Sequence, residues 1–133
     1  MVSVRQGERH SHNRGFTLIE LLVVLAIMAT LLSIVAPRYS DSVDRAKEAT
    51  LKTNLRILRE SIDKYRADTG KLPEALEKLV TARYIQAVPV DPITDQDNTW
   101  LLVPHPDGTT SGIYDVHSAA EGVGRDGKPF NQW

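Results

Sequence analysis

Near its N-terminus the chain has a pattern that is typical of a membrane segment rather than of a globular core. Residues 16–36 are 21 consecutive positions with one charged side chain, Glu20. At about 1.5 Å per residue, an α-helix of this length measures roughly 31 Å, close to the hydrocarbon thickness of a bilayer. Apolar residues occur on every side of that helix, which excludes an amphipathic helix lying on a surface. The pattern therefore predicts a helix that spans a membrane.

A second pattern, with helical spacing, follows across residues 38–69. Its apolar side chains recur at steps of three and four and form one stripe: Leu51, Leu55, Leu58, Ile62 and Tyr65. The opposite face carries charged residues, and we interpret it as a solvated face. Gly70 is a typical residue for the end of a helix. A stripe this narrow predicts that the helix packs against the rest of the chain.

The remaining residues predict a small head that mixes helix and strand. Residues 73–80 begin with a proline and predict a short helix. Residues 100–103 and 113–117 predict two strands, and the Pro, Asp and Gly residues between them predict an antiparallel hairpin. Residues 87–99 predict an ordered loop that prolines stiffen. Some 96 residues follow the apolar stretch and its proline, which suffices for one small domain.

The residues before the apolar stretch indicate its orientation. Arg5, Arg9 and Arg14 outnumber Glu8 there. By the positive-inside rule, the short N-terminal tail stays cytoplasmic and the long remainder is translocated. A cleaved secretory signal peptide is the alternative, but its apolar core is usually only about 7–15 residues and small residues follow it. The longer core and the bulky residues after it favour a retained anchor.

Glu20 is the residue that most needs an explanation. A carboxylate at the middle of a bilayer costs about 2.5–3.5 kcal/mol on insertion scales, and less near the interface. No Lys or Arg lies between Glu20 and Arg38. One interpretation is a side chain that reaches up to the lipid headgroups. The other is pairing with a cation from another chain or with a newly made N-terminus.

Residues 15–20, Gly-Phe-Thr-Leu-Ile-Glu, resemble the signature shared by type IV pilins and type II secretion pseudopilins. In that family a prepilin peptidase cuts after the Gly and methylates the new N-terminal Phe. The resemblance implies cleavage between Gly15 and Phe16, with the apolar stretch retained. It also implies that Glu20 pairs with the Phe16 ammonium of a neighbouring subunit, because an opposite charge offsets the desolvation that a lone carboxylate would suffer. The family keeps its helix going near a proline, and Pro37 matches that position.

The second half of the chain extends the resemblance. Residues 71–73, 88–92 and 112–118 look like the major pseudopilin of type II secretion, in matching order. This implies an α+β, type IV pilin-like fold, in which a long N-terminal helix packs on a short helix and a small antiparallel β-sheet. It implies four segments in chain order: a cleaved basic leader (1–15), a transmembrane and filament-core helix (16–37), an amphipathic helix (38–70) and a periplasmic head (71–133).

A structural pseudopilin subunit, not an enzyme, is the function that the resemblance implies. Such a subunit starts in the bacterial inner membrane and assembles with itself and with minor pseudopilins into a periplasmic filament that drives protein secretion. Its other partners would be the prepilin peptidase and the inner-membrane secretion platform. Two alternatives stay open: a type IV pilus subunit for adhesion or motility, and a single-pass membrane-anchored binding module.

Composition removes several other classes of function. Without residues 1–15 the chain has 13 basic and 16 acidic side chains, a formal charge of −3, which gives no electrostatic footprint for nucleic acid. Cysteine is absent, so no disulfide and no thiolate metal site can form. Many type IV pilins close a C-terminal loop with a disulfide, so this absence favours a pseudopilin. His105 and His117 could approach each other across the hairpin, but two histidines alone rarely form a metal site.

The resemblance also implies a calcium site in the C-terminal loop (residues 119–130), which follows the last strand. Glu121 and Asp126 are the two carboxylates of this loop, whereas calcium prefers six to eight oxygen ligands. The alternative for this loop is a Gly-rich turn that Trp133 pins in place.

Overall fold

The computed structural model describes residues 1–3 and 14–133, and it has a long helix, a short helix and a two-stranded sheet. The elements in chain order are α1 (Leu18–Thr69), α2 (Leu76–Thr81), β1 (Trp100–Pro104), β2 (Ile113–Ser118) and a closing 3-10 turn (Phe130–Gln132). These residues divide into two compact units, Met1–Ser40 and Asp41–Trp133. The mixture of elements is the predicted α+β fold of the type IV pilin-like kind.

The first unit contains the apolar half of α1 (residues 18–36). The helix is capped by Thr17, whose Oγ1 accepts the backbone N–H of Glu20 at 3.2 Å. Every described residue from 14 to 40 is exposed. The hydroxyls of Thr30 and Ser33 donate to backbone carbonyls about one turn earlier, at 2.8 and 2.7 Å. The helix thus satisfies these two hydroxyl groups internally, as a lipid environment requires of polar groups.

Pro37 lies inside α1 and does not end it. The Ser40 hydroxyl donates to the Pro37 carbonyl at 3.0 Å, one turn further on. The helix therefore continues past the proline, as it does in the family that the sequence resembles. Within the described residues, α1 is also the one helix that is long and apolar enough to cross a membrane, judged by length and composition.

The second unit (Asp41–Trp133) is larger than the head that the sequence predicts (residues 71–133), and we call the whole unit the head from here on. It packs the head half of α1 (residues 41–69) against the segments that follow it. Four leucine and isoleucine side chains of the predicted stripe are at most 2% exposed, which confirms the stripe: Leu51, Leu55, Leu58 and Ile62. Tyr65 continues it as a partly buried residue. The residues that cover the stripe are Leu72, Leu76, Leu79, Trp100, Ile113, Val116, Ala120 and Phe130. Burial of these apolar side chains is the main stabilising force of the head.

β1 and β2 form the predicted antiparallel hairpin, and each strand is one residue longer than predicted. Trp100 pairs with Ser118 at one end of the ladder. Pro104 pairs with Ile113 at the other end, next to a shift in register. Residues 105–112 make the connection between the strands.

Residues 87–99 are held to the hairpin by a buried aspartate. Asp91 is fully buried, and one of its carboxylate oxygens accepts the hydroxyl of Ser118. The other oxygen accepts the backbone N–H of Ile93 at 2.8 Å. The indole N–H of Trp100 donates to the Pro89 carbonyl at 2.9 Å, so the loop is fixed at two points.

The short helix begins at Leu76, later than the predicted start at Pro73. The Pro73 carbonyl accepts the N–H of Ile113 at 2.8 Å, which ties this segment to the start of β2. Gly112 allows these two segments to approach closely, because a Cβ at position 112 would lie only 2.6 Å from the Leu72 Cβ. The backbone φ of Gly112 is +116°, a value that glycine adopts readily and other residues rarely do. A contact with a distant part of the chain thus delays the start of α2.

Candidate functional site

The bond between Gly15 and Phe16 lies before α1, in backbone without helical or strand structure. No described atom beyond the chain neighbours lies within 4 Å of where a Gly15 side chain would begin, and Phe16 is 86% exposed. Arg14 of the predicted leader is exposed as well, whereas Arg5 and Arg9 lie outside the described residues. No part of the described chain therefore covers this bond, which precedes the first residue of α1.

Glu20 lies exposed in the first turn of α1. A carboxylate at this end of a helix is favoured by the helix dipole, which does not replace a counter-ion in lipid. In the part of the chain that the structure describes, Glu20 makes no salt bridge. The geometry thus leaves this carboxylate available to a cation from outside the chain.

Within the described residues, neither Glu121 nor Asp126 belongs to a cluster of side chains that could hold a metal ion. Over residues 14–133, no three His, Asp or Glu side chains come close enough together to hold a metal ion. Glu121 is exposed. Asp126 accepts the backbone N–H of Lys128 at 3.0 Å and lies 4.0 Å from the Lys52 ammonium. Calcium at this loop stays a prediction, and the donor set does not fit the six to eight oxygens that calcium prefers.

His105 and His117 lie at opposite ends of the hairpin, so the approach that the sequence allowed does not occur. His117 pairs with Leu101 in the ladder, near the end of β2. His105 follows the last residue of β1 and packs edge-on against Tyr114, with ring centroids 4.8 Å apart. The antiparallel pairing itself separates the two rings, because it places the end of β1 beside the start of β2.

Arg59 organises a polar cluster that the sequence pattern did not indicate. Its Nε donates to Asp115 Oδ1 at 2.7 Å, and its Nη2 donates to the carbonyl oxygens of Val116 and Trp133 at 2.8 and 2.6 Å. On the other side of the same carboxylate, His117 Nε2 lies 3.6 Å from Asp115 Oδ2. The planar, many-donor guanidinium suits such a junction. The cluster ties α1 to β2 and to the C-terminal turn, which is a structural role.

The family model for the prokaryotic N-terminal methylation motif matches residues 10–36. That segment includes the bond after Gly15, the exposed Glu20 and the apolar half of α1. The molecule is therefore of the class in which a membrane-length helix carries an N-terminal methylation signal and continues into a small α+β head. No solved structure matches the chain.

Similar proteins define the family within that class. The chain is 31% identical over 130 residues to the type II secretion system core protein G of Pseudomonas aeruginosa, which covers 86% of this chain and 84% of that protein. With core protein G of Xanthomonas campestris pv. campestris it is 30% identical over 79 residues, 59% of this chain and 55% of that relative. The chain belongs to the type II secretion system core protein G family, whose members are structural pseudopilins.

A type IV pilin also matches, over a shorter stretch. The chain is 42% identical over 55 residues to the type IV major pilin protein PilA of Myxococcus xanthus, which covers 41% of this chain and 25% of that protein. Likeness to the pilin is thus confined to less than half of the chain, whereas likeness to core protein G extends over most of it.

Proposed function

We propose that this pseudopilin is cut between Gly15 and Phe16, methylated on the Phe16 nitrogen and assembled into a periplasmic filament that drives type II secretion. The exposed apolar half of α1 is the observation that carries the proposal. An apolar surface of this extent needs lipid or neighbouring helices to cover it. Lipid covers it before assembly, when the helix anchors the chain in the inner membrane, and helices of other subunits cover it in the filament.

The same proposal fixes the orientation and the partners. The arginines of the leader keep the N-terminus in the cytoplasm, and the head lies in the periplasm. A prepilin peptidase acts on the leader, and the inner-membrane secretion platform and minor pseudopilins act in assembly. Pro37 lacks a backbone N–H, so the helix has a weak point there that can open as subunits pack.

Glu20 sets the register between subunits in this mechanism. Cleavage turns the Phe16 nitrogen into an ammonium at the end of an apolar helix. A neighbouring subunit shifted by about one turn can then place that ammonium beside Glu20. The pairing offsets the cost of desolvating both charges, and it exists only after cleavage and only between correctly placed subunits.

Gly15→Leu tests the cleavage step. We expect this substitution to abolish cleavage by a prepilin peptidase, because a bulky side chain fills the open space beside the bond. Intact mass and N-terminal sequencing provide the measurement: the parent chain should begin at a methylated Phe16, and the variant should keep residues 1–15 while staying in the membrane fraction. A mature-sized product from the variant would refute the assignment of the site.

Glu20→Ala tests the pairing. We expect normal cleavage and a filament yield lower by on the order of tenfold or more, since about 1.4 kcal/mol lost at each contact between subunits is worth a factor of ten. Glu77→Ala is the matched control, because it removes an exposed carboxylate from the head. The amount of sheared or pelleted filament is measured for all three proteins. Equal yields from the Glu20 and Glu77 variants would count against the pairing.

A type IV pilus subunit is the second candidate, and the match to the Myxococcus pilin favours it. Cells that express this chain as their one family member distinguish the two functions. Restored secretion with short filaments supports the secretion role, whereas long surface fibres with unchanged secretion support the pilus role.

A further inference from the structure

The backbone of the C-terminal loop closes on itself. Val123 and Pro129 form an antiparallel bridge. Inside that bridge, the Gly124 N–H donates to the Lys128 carbonyl at 2.8 Å. Asp126 completes the turn, because its Oδ1 accepts the Lys128 N–H at 3.0 Å. Direct hydrogen bonds therefore set the shape of the loop.

Asp41, Glu48 and Lys52 of α1 contact this loop, and Asp41 Oδ1 lies 3.5 Å from Arg125 Nη2. Glu48 Oε1 accepts the backbone N–H of Arg125 at 3.2 Å. The Lys52 ammonium lies 4.0 Å from Asp126 Oδ2 and 4.3 Å from the centre of the Trp133 ring. Glu48 and Lys52 are four positions apart and so present opposite charges from one face of α1.

The Trp133 ring packs directly against the loop. It lies so close to Gly124 that a Cβ at this position would collide with it. The ring packs edge-on against Phe130, with centroids 5.1 Å apart. The Trp133 carbonyl accepts the hydrogen bond from Arg59, which anchors this residue to α1 as well.

We propose that Lys52, together with Glu48 and Arg59, holds the C-terminal loop against α1. In this chain these side chains take the place of a bound divalent cation, and the loop is held without a metal. Both oxygens of Asp126 already face a positive or hydrogen-bonding group, namely the Lys52 ammonium and the Lys128 N–H. An exposed ion pair contributes little by itself. Three further contacts therefore act together with it: the hydrogen bond from the Arg125 N–H to Glu48, the contact of Lys52 with the Trp133 ring, and the hydrogen bond from Arg59 to the Trp133 carbonyl. This inference concerns the head alone and does not rest on filament assembly.

Thermal unfolding of the full chain in detergent micelles, in EDTA and in excess calcium chloride, tests the proposal. A resident metal at about a hundredfold over its Kd would raise the Tm of a domain of this size by about 10 °C or more. We expect Tm values that agree within about 1 °C. Amide hydrogen exchange of the C-terminal loop should also be the same in both buffers. A large rise in Tm with calcium, or loop amides that become protected with calcium, would overturn the proposal and leave the filament function standing.

Lys52→Gln tests the lysine itself. We expect a Tm lower by about 2–5 °C in both buffers and faster amide exchange at Arg125 and Lys128, because the glutamine keeps much of the chain length and loses the charge. Lys64→Gln is the matched control, since Lys64 is an exposed lysine of the same helix with no salt bridge in the described part of the chain. If the two variants behave alike, Lys52 does not hold the loop.

Discussion

Leu25 and Leu58 belong to one helix, yet 53% of Leu25 is exposed whereas Leu58 is fully buried. Local hydrogen bonding does not distinguish the two regions. Ser33 in the apolar half and Ser61 in the head half each donate to a backbone carbonyl about one turn earlier, both at 2.7 Å. The two halves of α1 differ instead in what covers their side chains.

That difference explains their different sequence patterns. The head half needs one apolar face, because a single side of the helix meets the core and the other side meets water. The apolar half has apolar residues on every side, which agrees with the proposed function, in which lipid or other subunits cover all of it. Glu20 is the one charged residue in that half, and in the proposed filament the Phe16 ammonium of a neighbouring subunit would offset its charge. One helix thus combines two patterns: an apolar stripe that the head buries, and an apolar surface that no part of the described chain covers.

Truncating a buried leucine of the head half should have the greatest effect on stability. Leu58→Ala should lower the free energy of unfolding of the head by about 2–5 kcal/mol, because it leaves a cavity in the core. In a domain of this size the Tm should fall by about 10 °C or more. Thermal unfolding followed by near-ultraviolet circular dichroism of the full chain in detergent reports this change.

Leu25→Ala is the matched control for that experiment. It removes the same atoms from a side chain that no part of the described chain buries, so the Tm of the head should not change. If Leu25→Ala lowers the Tm as much as Leu58→Ala does, then the folded head does not distinguish the two halves of α1 in the way that their burial indicates.

Features that depend on local spacing were predictable from the sequence. The stripe from Leu51 to Ile62, the apolar membrane-length segment and both strands follow from periodicity and turn residues, and the structure confirms each of these elements. Resemblance to a known family at residues 15–20 indicated the class of protein, which the methylation-motif match and the core protein G relatives support.

Features that depend on contacts between distant residues were not predictable. Arg59 is one of several charged residues on α1, and nothing near it in the sequence marks it as a junction. Its partners Asp115 and Trp133 lie 56 and 74 positions away. The delayed start of α2 has the same origin, because the bond between the Pro73 carbonyl and Ile113 joins segments that only the tertiary fold brings together.

Acid pH should have a small and local effect on a carboxyl group of the head. Glu20 is the one titratable side chain of the apolar half, whereas the head has a strongly perturbed carboxyl at Asp107 in the hairpin connection. The backbone N–H and hydroxyl of Thr110, at 2.9 and 2.7 Å, and the N–H of Thr109 at 2.9 Å hold the pKa of Asp107 well below its usual value of 3.8. The folded connection therefore favours the ionised carboxylate.

The sign of the pH effect follows from that lowered pKa. Since the folded state holds the proton less tightly than the unfolded state does, the contribution of Asp107 is fully present above pH 3.8 and is lost as the pH falls through the lower, folded value. Amide resonances of Thr109 and Thr110 should move with a midpoint below 3.8, and Asp107→Asn should abolish that movement. Because Asp107 is well exposed, the Tm of the head should change little. A midpoint at or above the usual value would mean that the threonines do not hold this carboxylate in solution.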